Sequence, residues 1–134
     1  MKSIGRIVFS IREDELDFKK VSSNIGIKPT KTIKKGQKIT SSRIAKFDIW
    51  RFEKEYSTLD NISEVLEELI DELNKNREYV VLLKNQYEYV GITCYLVTDF
   101  GQIGISMSSS SIEKLNALGI GIDFDIISYG KVED

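Results

Sequence analysis

The chain has 134 residues and a mass of 15.3 kDa, with 41% hydrophobic residues, 30% charged residues and a formal net charge of -2. This size and composition fit one domain over 1–134 with a continuous apolar core, and they exclude a disordered chain or a disulfide scaffold, because Cys94 has no second cysteine to pair with. With no histidine, His-dependent metal centres and every Ser-His-Asp or Cys-His arrangement are excluded too, and any attraction to a charged partner has to come from a local cluster.

Ile7, Phe9 and Ile11 recur at the two-residue period of an opening strand, with Val8 turned toward the other face. Asp14 is the expected cap of a short helix, with Asp17 in its first turn, Phe18, Val21 and Ile25 along its apolar side and Gly26 as its stop. Pro29 bars continuation of that helix, and a lysine-rich segment leads into a strand over FDIWRFEKEY, where Trp50 and Phe52 share one parity and Phe47 and Ile49 the other. Asn61 and Glu64 form a pair resembling a capping box. They open the strongest helix, with Ile62, Val65, Leu66, Leu69, Ile70 and Leu73 on one stripe and Glu67, Glu68, Asp71 and Glu72 outside.

Tyr79, Leu82 and Leu83 fit a further short helix, while YVVLL also has strand propensity; periodicity leaves the two open. Val90, Ile92, Cys94 and Leu96 alternate as a strand, and after a turn at Asp99 and Gly101 the segment QIGISMS reads as its antiparallel partner through Ile103, Ile105 and Met107. Ser110 with Glu113 is the expected capping box of a last helix carrying Ile112, Leu115 and Leu118 and ending at Gly119. Ile122, Phe124 and Ile126 mark the closing strand. The pattern predicts an α+β fold of two layers, a mostly antiparallel sheet covered by helices. A ferredoxin-like sandwich is the preferred arrangement, with other two-layer arrangements open.

Between residues 28 and 46 the chain places Lys28, Lys31, Lys34, Lys35, Lys38, Arg43 and Lys46 with no Asp or Glu. Folded back as a loop or hairpin, this segment makes a positive surface for a phosphate or a carboxylate-rich partner, against the simpler reading of a solvated loop. Trp50 lies close by in sequence. It is either core or, if exposed beside Lys28 and Lys35, the aromatic anchor of that surface. Asp123 and Asp125 share a strand face and form a candidate acidic site, two ligands being too few for a metal; a solvated edge explains them more simply. Cys94 and the SMSSSS run lack a positioned base, and no phosphate-binding glycine loop is present. No cofactor is implied. The start has no signal-peptide core and no later run spans a bilayer, so a cytoplasmic protein without membrane contact is expected.

A set of ordered landmarks resembles the bacterial family known as domain of unknown function 4279. They are Ile27 through Thr30, Gly36, Trp50, the helix around Leu66 and Leu69, Ala117 through Gly119, then Asp123 and Asp125 followed by Tyr129. The stretch from Gly36 to Trp50 and the spacing from Asp125 to Tyr129 are longer than that pattern. The resemblance brings no chemistry with it; an immunity-like role enters only by analogy with other small bacterial α+β proteins. The expected function is protein binding or regulation by a protein partner, with self-association through the basic segment and the acidic helix also open. The alternatives are an unconventional enzyme gathering carboxylates and Lys or Arg from distant segments, and weak nucleic-acid binding, which no RNA-recognition signature supports.

Overall fold

A computed structural model describes residues 4–56 and 61–132. In chain order the elements are β1 (Ile4–Glu13), α1 (Phe18–Ile25), β2 (Lys31–Ile33), β3 (Lys38–Thr40), β4 (Arg43–Ile44) and β5 (Asp48–Tyr56). Then follow α2 (Ile62–Asn74), α3 (Arg77–Gln86), β6 (Tyr89–Phe100), α4 (Ser109–Leu118) and β7 (Ile122–Lys131). Five strands form one sheet in the order β2-β5-β1-β6-β7, and β3 and β4 form a separate two-stranded ribbon.

The alternation in β1 decides what the sheet buries. Ile7 is registered with Lys54 and Cys94, Phe9 with Phe52 and Ile92, and Ile11 with Trp50 and Val90, so these residues share one face. Helices cover that face through Val21 and Ile25 of α1, the Ile62, Leu66, Leu69, Ile70 and Leu73 stripe of α2, Val80 and Leu83 of α3, and Leu115 and Leu118 of α4. Each such side chain contributes roughly 1.5–3 kcal/mol on burial, which makes the α2 stripe the largest helical share of the core. The opposite face lies outside this helix-covered cluster. There the Arg6 guanidinium lies over the Tyr95 ring at 4.9 Å, and Arg12 sits between the rings of Phe47 and Tyr89 at 5.3 and 5.0 Å. Flat-lying side chains of this kind cover apolar surface with their stems, and Val8 on this face is only 2% exposed.

The two-layer, mostly antiparallel α+β architecture is the one expected, but the ferredoxin-like variant is not formed. That fold needs two strand-helix-strand halves, whereas α1 leads from β1 into its antiparallel neighbour β5. Two crossovers join parallel strands: β5 passes through α2 and α3 to β6 on the far side of β1, and β6 passes through α4 to its direct neighbour β7, where the ferredoxin-like sheet would be antiparallel throughout. The QIGISMS segment is not a strand. Ser106 donates its amide to Ser63 Oγ of α2 at 3.1 Å, and Ile103, Ile105 and Met107 pack partly buried against the core. The edge next to β6 is taken by β7 instead.

Three caps also differ from expectation. Asp17, not Asp14, caps α1 by accepting the Lys20 amide at 3.1 Å. Ser108, not Ser110, caps α4 by accepting the Ser111 amide at 3.0 Å, because the helix register buries Ser111 beneath it. Asn61 stands at the start of α2 without a side-chain capping bond. The stops at Gly26 and Gly119 are as expected, with φ of 75° and 71°. Residues 77–86, open between helix and strand, are helical, with Val80 and Leu83 spaced to face the core.

Candidate functional site

The basic segment folds as an arm. Its first part, β2, pairs with β5 at the rim of the sheet, and its second part is the β3–β4 ribbon, closed at its base by Gly36 N–H donating to Ala45 O at 2.8 Å and Ala45 N–H donating to Gln37 O at 2.9 Å. The root of the arm is held by Asp48. This carboxylate is 2% exposed and accepts the Lys35 amide at 2.7 Å and the Leu16 amide at 3.0 Å, with the Lys34 ammonium 3.7 Å away. Burial pushes its pKa up, but the two amide donors and Lys34 outweigh this and leave it below the ordinary 3.8. Lys35 in turn reaches Asp14 at 2.5 Å, and that bond raises the lysine pKa above its ordinary 10.5.

The cations therefore divide in two. Lys34 and Lys35 are tied to Asp48 and Asp14 and hold the arm in place. Lys28, Lys31, Lys38, Arg43 and Lys46 are exposed and form no ion pair among the described residues. Beside them, Ile39 is 40% exposed and Ile44 60% exposed. These two apolar side chains on the ribbon are the part of the surface that charge counting missed; the signal was their place in a short segment with no helix or strand free to cover them.

Trp50 is not part of this surface. It is 0% exposed, packs edge-on to Phe9 with ring centroids 6.1 Å apart, and donates Nε1–H to Ser22 Oγ at 3.0 Å. Its parity in β5 points it at the helices, on the face away from Lys31.

Asp123 and Asp125 share the uncovered face of β7 and are exposed. Asp125 closes a row of side chains across four strands: Glu55, Arg6, Tyr95 and Asp125, from β5, β1, β6 and β7. This row lines one wall of a cleft of about 770 Å³ at the sheet end, and Tyr56, Asn61 and Val65 are among its other lining residues. Tyr56 donates its hydroxyl to Tyr95 O at 2.9 Å, and burial, with Cys94 nearby, pushes its pKa up to about 12, so the phenol stays protonated. Cys94 is buried in the sheet with its thiol pushed up to about 11, which suits packing and not nucleophilic attack. Among the described residues no group of three or more Cys, Asp or Glu could hold a metal ion, and no helix is long and apolar enough to cross a membrane.

Residues 3–129 match the family model described as a domain of unknown function, DUF4279. The chain belongs to the DUF4279 family. Neither the comparison with curated proteins nor that with solved structures gives a match. In this DUF4279 domain, the arm and the cleft lie in different places, and the family description assigns a role to neither.

Proposed function

We propose that this DUF4279 domain is a protein-binding module whose basic arm recognises an acidic surface on a partner protein. The observation that carries this reading is the pairing of exposed Ile39 and Ile44 with exposed Lys38, Arg43 and Lys46 on a ribbon that is rooted by Asp48. Apolar side chains supply area to desolvate, while the surrounding cations select the partner and speed encounter. A regulatory or immunity-like role is the case in which that partner is an enzyme or a toxin.

The cleft favours a second reading, an enzyme using Asp125, Glu55 and Arg6 from three separate strands. Its protonated, hydrogen-bonded Tyr56 and the stacking of Arg6 on Tyr95 leave no activated base or nucleophile beside those carboxylates, which ranks binding first.

The test is quantitative affinity capture from the native host at near-physiological salt. It compares the intact domain with a variant carrying Lys31→Gln, Lys38→Gln, Arg43→Gln and Lys46→Gln. Lys34 and Lys35 stay unchanged because they position the arm. One reproducible protein partner that is lost with the variant, and released from the intact domain by added salt, is the expected result. Unchanged partners would sink the arm model, and capture dominated by nucleic acid would replace it with the polyanion reading.

A further inference from the structure

β7 ends the sheet on one side, and both of its faces are open. Phe124 and Ile126 on the helix side are 46% and 42% exposed, and Ile127 and Tyr129 on the other side are 52% and 62% exposed. Natural sheets blunt such edges by shortness, proline, lysine or a bulge. β7 is 10 residues long and has no proline, its lysine is at its last position, and its irregularity falls only after Ser128. The Ile92 amide donates to Gly121 O at 3.3 Å, which sets the phase of the parallel ladder. Alternate residues bond inward, so Ile122, Phe124, Ile126 and Ser128 turn their N–H and C=O groups to the outer edge.

We propose that a second copy of this chain covers this edge, the two β7 strands pairing antiparallel about a two-fold axis at Ile127. The charges of the strand select that register. Pairings centred on Asp123, Phe124 or Asp125 set Asp123 or Asp125 against a like charge, which is destabilising, and one centred on Ile126 sets each Asp125 against the apolar Ile127, leaving the carboxylate without a polar partner opposite. Centred on Ile127, Ile127 meets its own counterpart and Ile126 pairs with Ser128 in the regular part of the strand, while each Asp125 is set beside Tyr129 of the second copy, a phenol and not a second carboxylate, where the irregularity begins. The contact is self-complementary, as a two-fold interface requires. The opposite edge cannot pair with itself in this way, since β2 has 3 residues and carries Lys31 beside the basic arm. The dimer leaves both arms free at its far ends.

Because Ile127 bonds inward, its self-pair is of the non-hydrogen-bonded kind, with Cα atoms about 4.5 Å apart, within the range a disulfide spans. The experiment is sedimentation velocity of the full chain, wild type and Ile127→Lys, up to on the order of 100 µM, together with mild oxidation of Ile127→Cys. Wild type is expected at twice 15.3 kDa. Ile127→Lys is expected to be a folded monomer by circular dichroism, its dissociation constant raised about 100-fold or more. Ile127→Cys is expected to give a disulfide dimer that buried Cys94 alone does not. A wild type that is monomeric throughout overturns the proposal, including the case in which β7 is covered by a different protein. So does a dimer that survives Ile127→Lys, or one in which Ile127→Cys fails to cross-link; if the lysine variant does not fold, the cross-linking result decides alone.

Discussion

Replacing Asp48 with Asn tests how the arm is fastened. Asn keeps one acceptor oxygen and turns the other into a donor, so of the Lys35 and Leu16 amides, at 2.7 and 3.0 Å, one loses its acceptor. A hydrogen bond to a charged group is worth about 1.5–3 kcal/mol, and the bond that survives falls to the neutral level, so the variant should lose about 3 kcal/mol. For a domain of this length that is about 10 °C in melting temperature. Urea unfolding of both proteins at pH 7 measures the loss, and amide exchange at Lys35 reports whether the arm has come loose.

The pH dependence follows from the depressed carboxyl pKa. The folded value lies below the ordinary 3.8, so the stabilisation by Asp48 is complete above that value and is lost as pH falls through the folded value. The gap between wild type and Asp48→Asn should therefore narrow below pH 3.8. A difference under about 0.5 kcal/mol at pH 7, the scatter expected of a neutral surface change, would refute the argument. So would a gap that does not respond to acid.

Trp50 is the chain's one tryptophan. Its emission should be that of a buried indole resistant to iodide, and Trp50→Phe should cost stability through lost volume and the lost bond to Ser22; ready quenching would put it back at the surface. The Cys94 thiol should react with a disulfide reagent at pH 8 only after unfolding. Its folded pKa of about 11 stands above the ordinary 9.0, so its contribution to stability is complete below 9.0 and is lost as pH rises toward 11; fast labelling of the native protein contradicts this. Gly5→Ala would place a Cβ 2.2 Å from the Tyr95 carbonyl oxygen and 2.6 Å from the Tyr56 hydroxyl, so a loss of at least about 1–3 kcal/mol is expected in denaturant unfolding, and an unchanged midpoint refutes the packing.

β1 and α2 were legible because burial on one side imposes a period, and Ile7, Phe9, Ile11 and the Ile62 to Leu73 stripe obey it. The same logic misread Ile103, Ile105 and Met107. An extended segment that packs alternate side chains on a core shows the strand pattern whether or not its backbone joins a ladder. Alternation also says nothing of direction, so the parallel pairing of β7 could not be read from Ile122, Phe124 and Ile126. In SMSSSS the spacing of Ser110 and Glu113 matched a capping box, but the register that buries Ser111, Leu115 and Leu118 starts the helix earlier and makes Ser108 the cap. The basic arm was visible as charge. Its fastening was not, because Asp48 acts on Leu16 and Lys35 across 32 and 13 residues of chain.

The central position of β1 has a consequence for synthesis. It is the earliest strand described, yet one of its neighbours is β5 and the other is β6, whose residues leave the ribosome only after α2 and α3. During translation the apolar row of Ile7, Phe9 and Ile11 can gain its β5 partner first, while its second side stays open until Tyr89 to Val97 have emerged. Pairings so distant along the chain are slow to close and expose nascent edges meanwhile. Chains stalled between Tyr56 and Tyr89 should be the ones that engage chaperones most strongly.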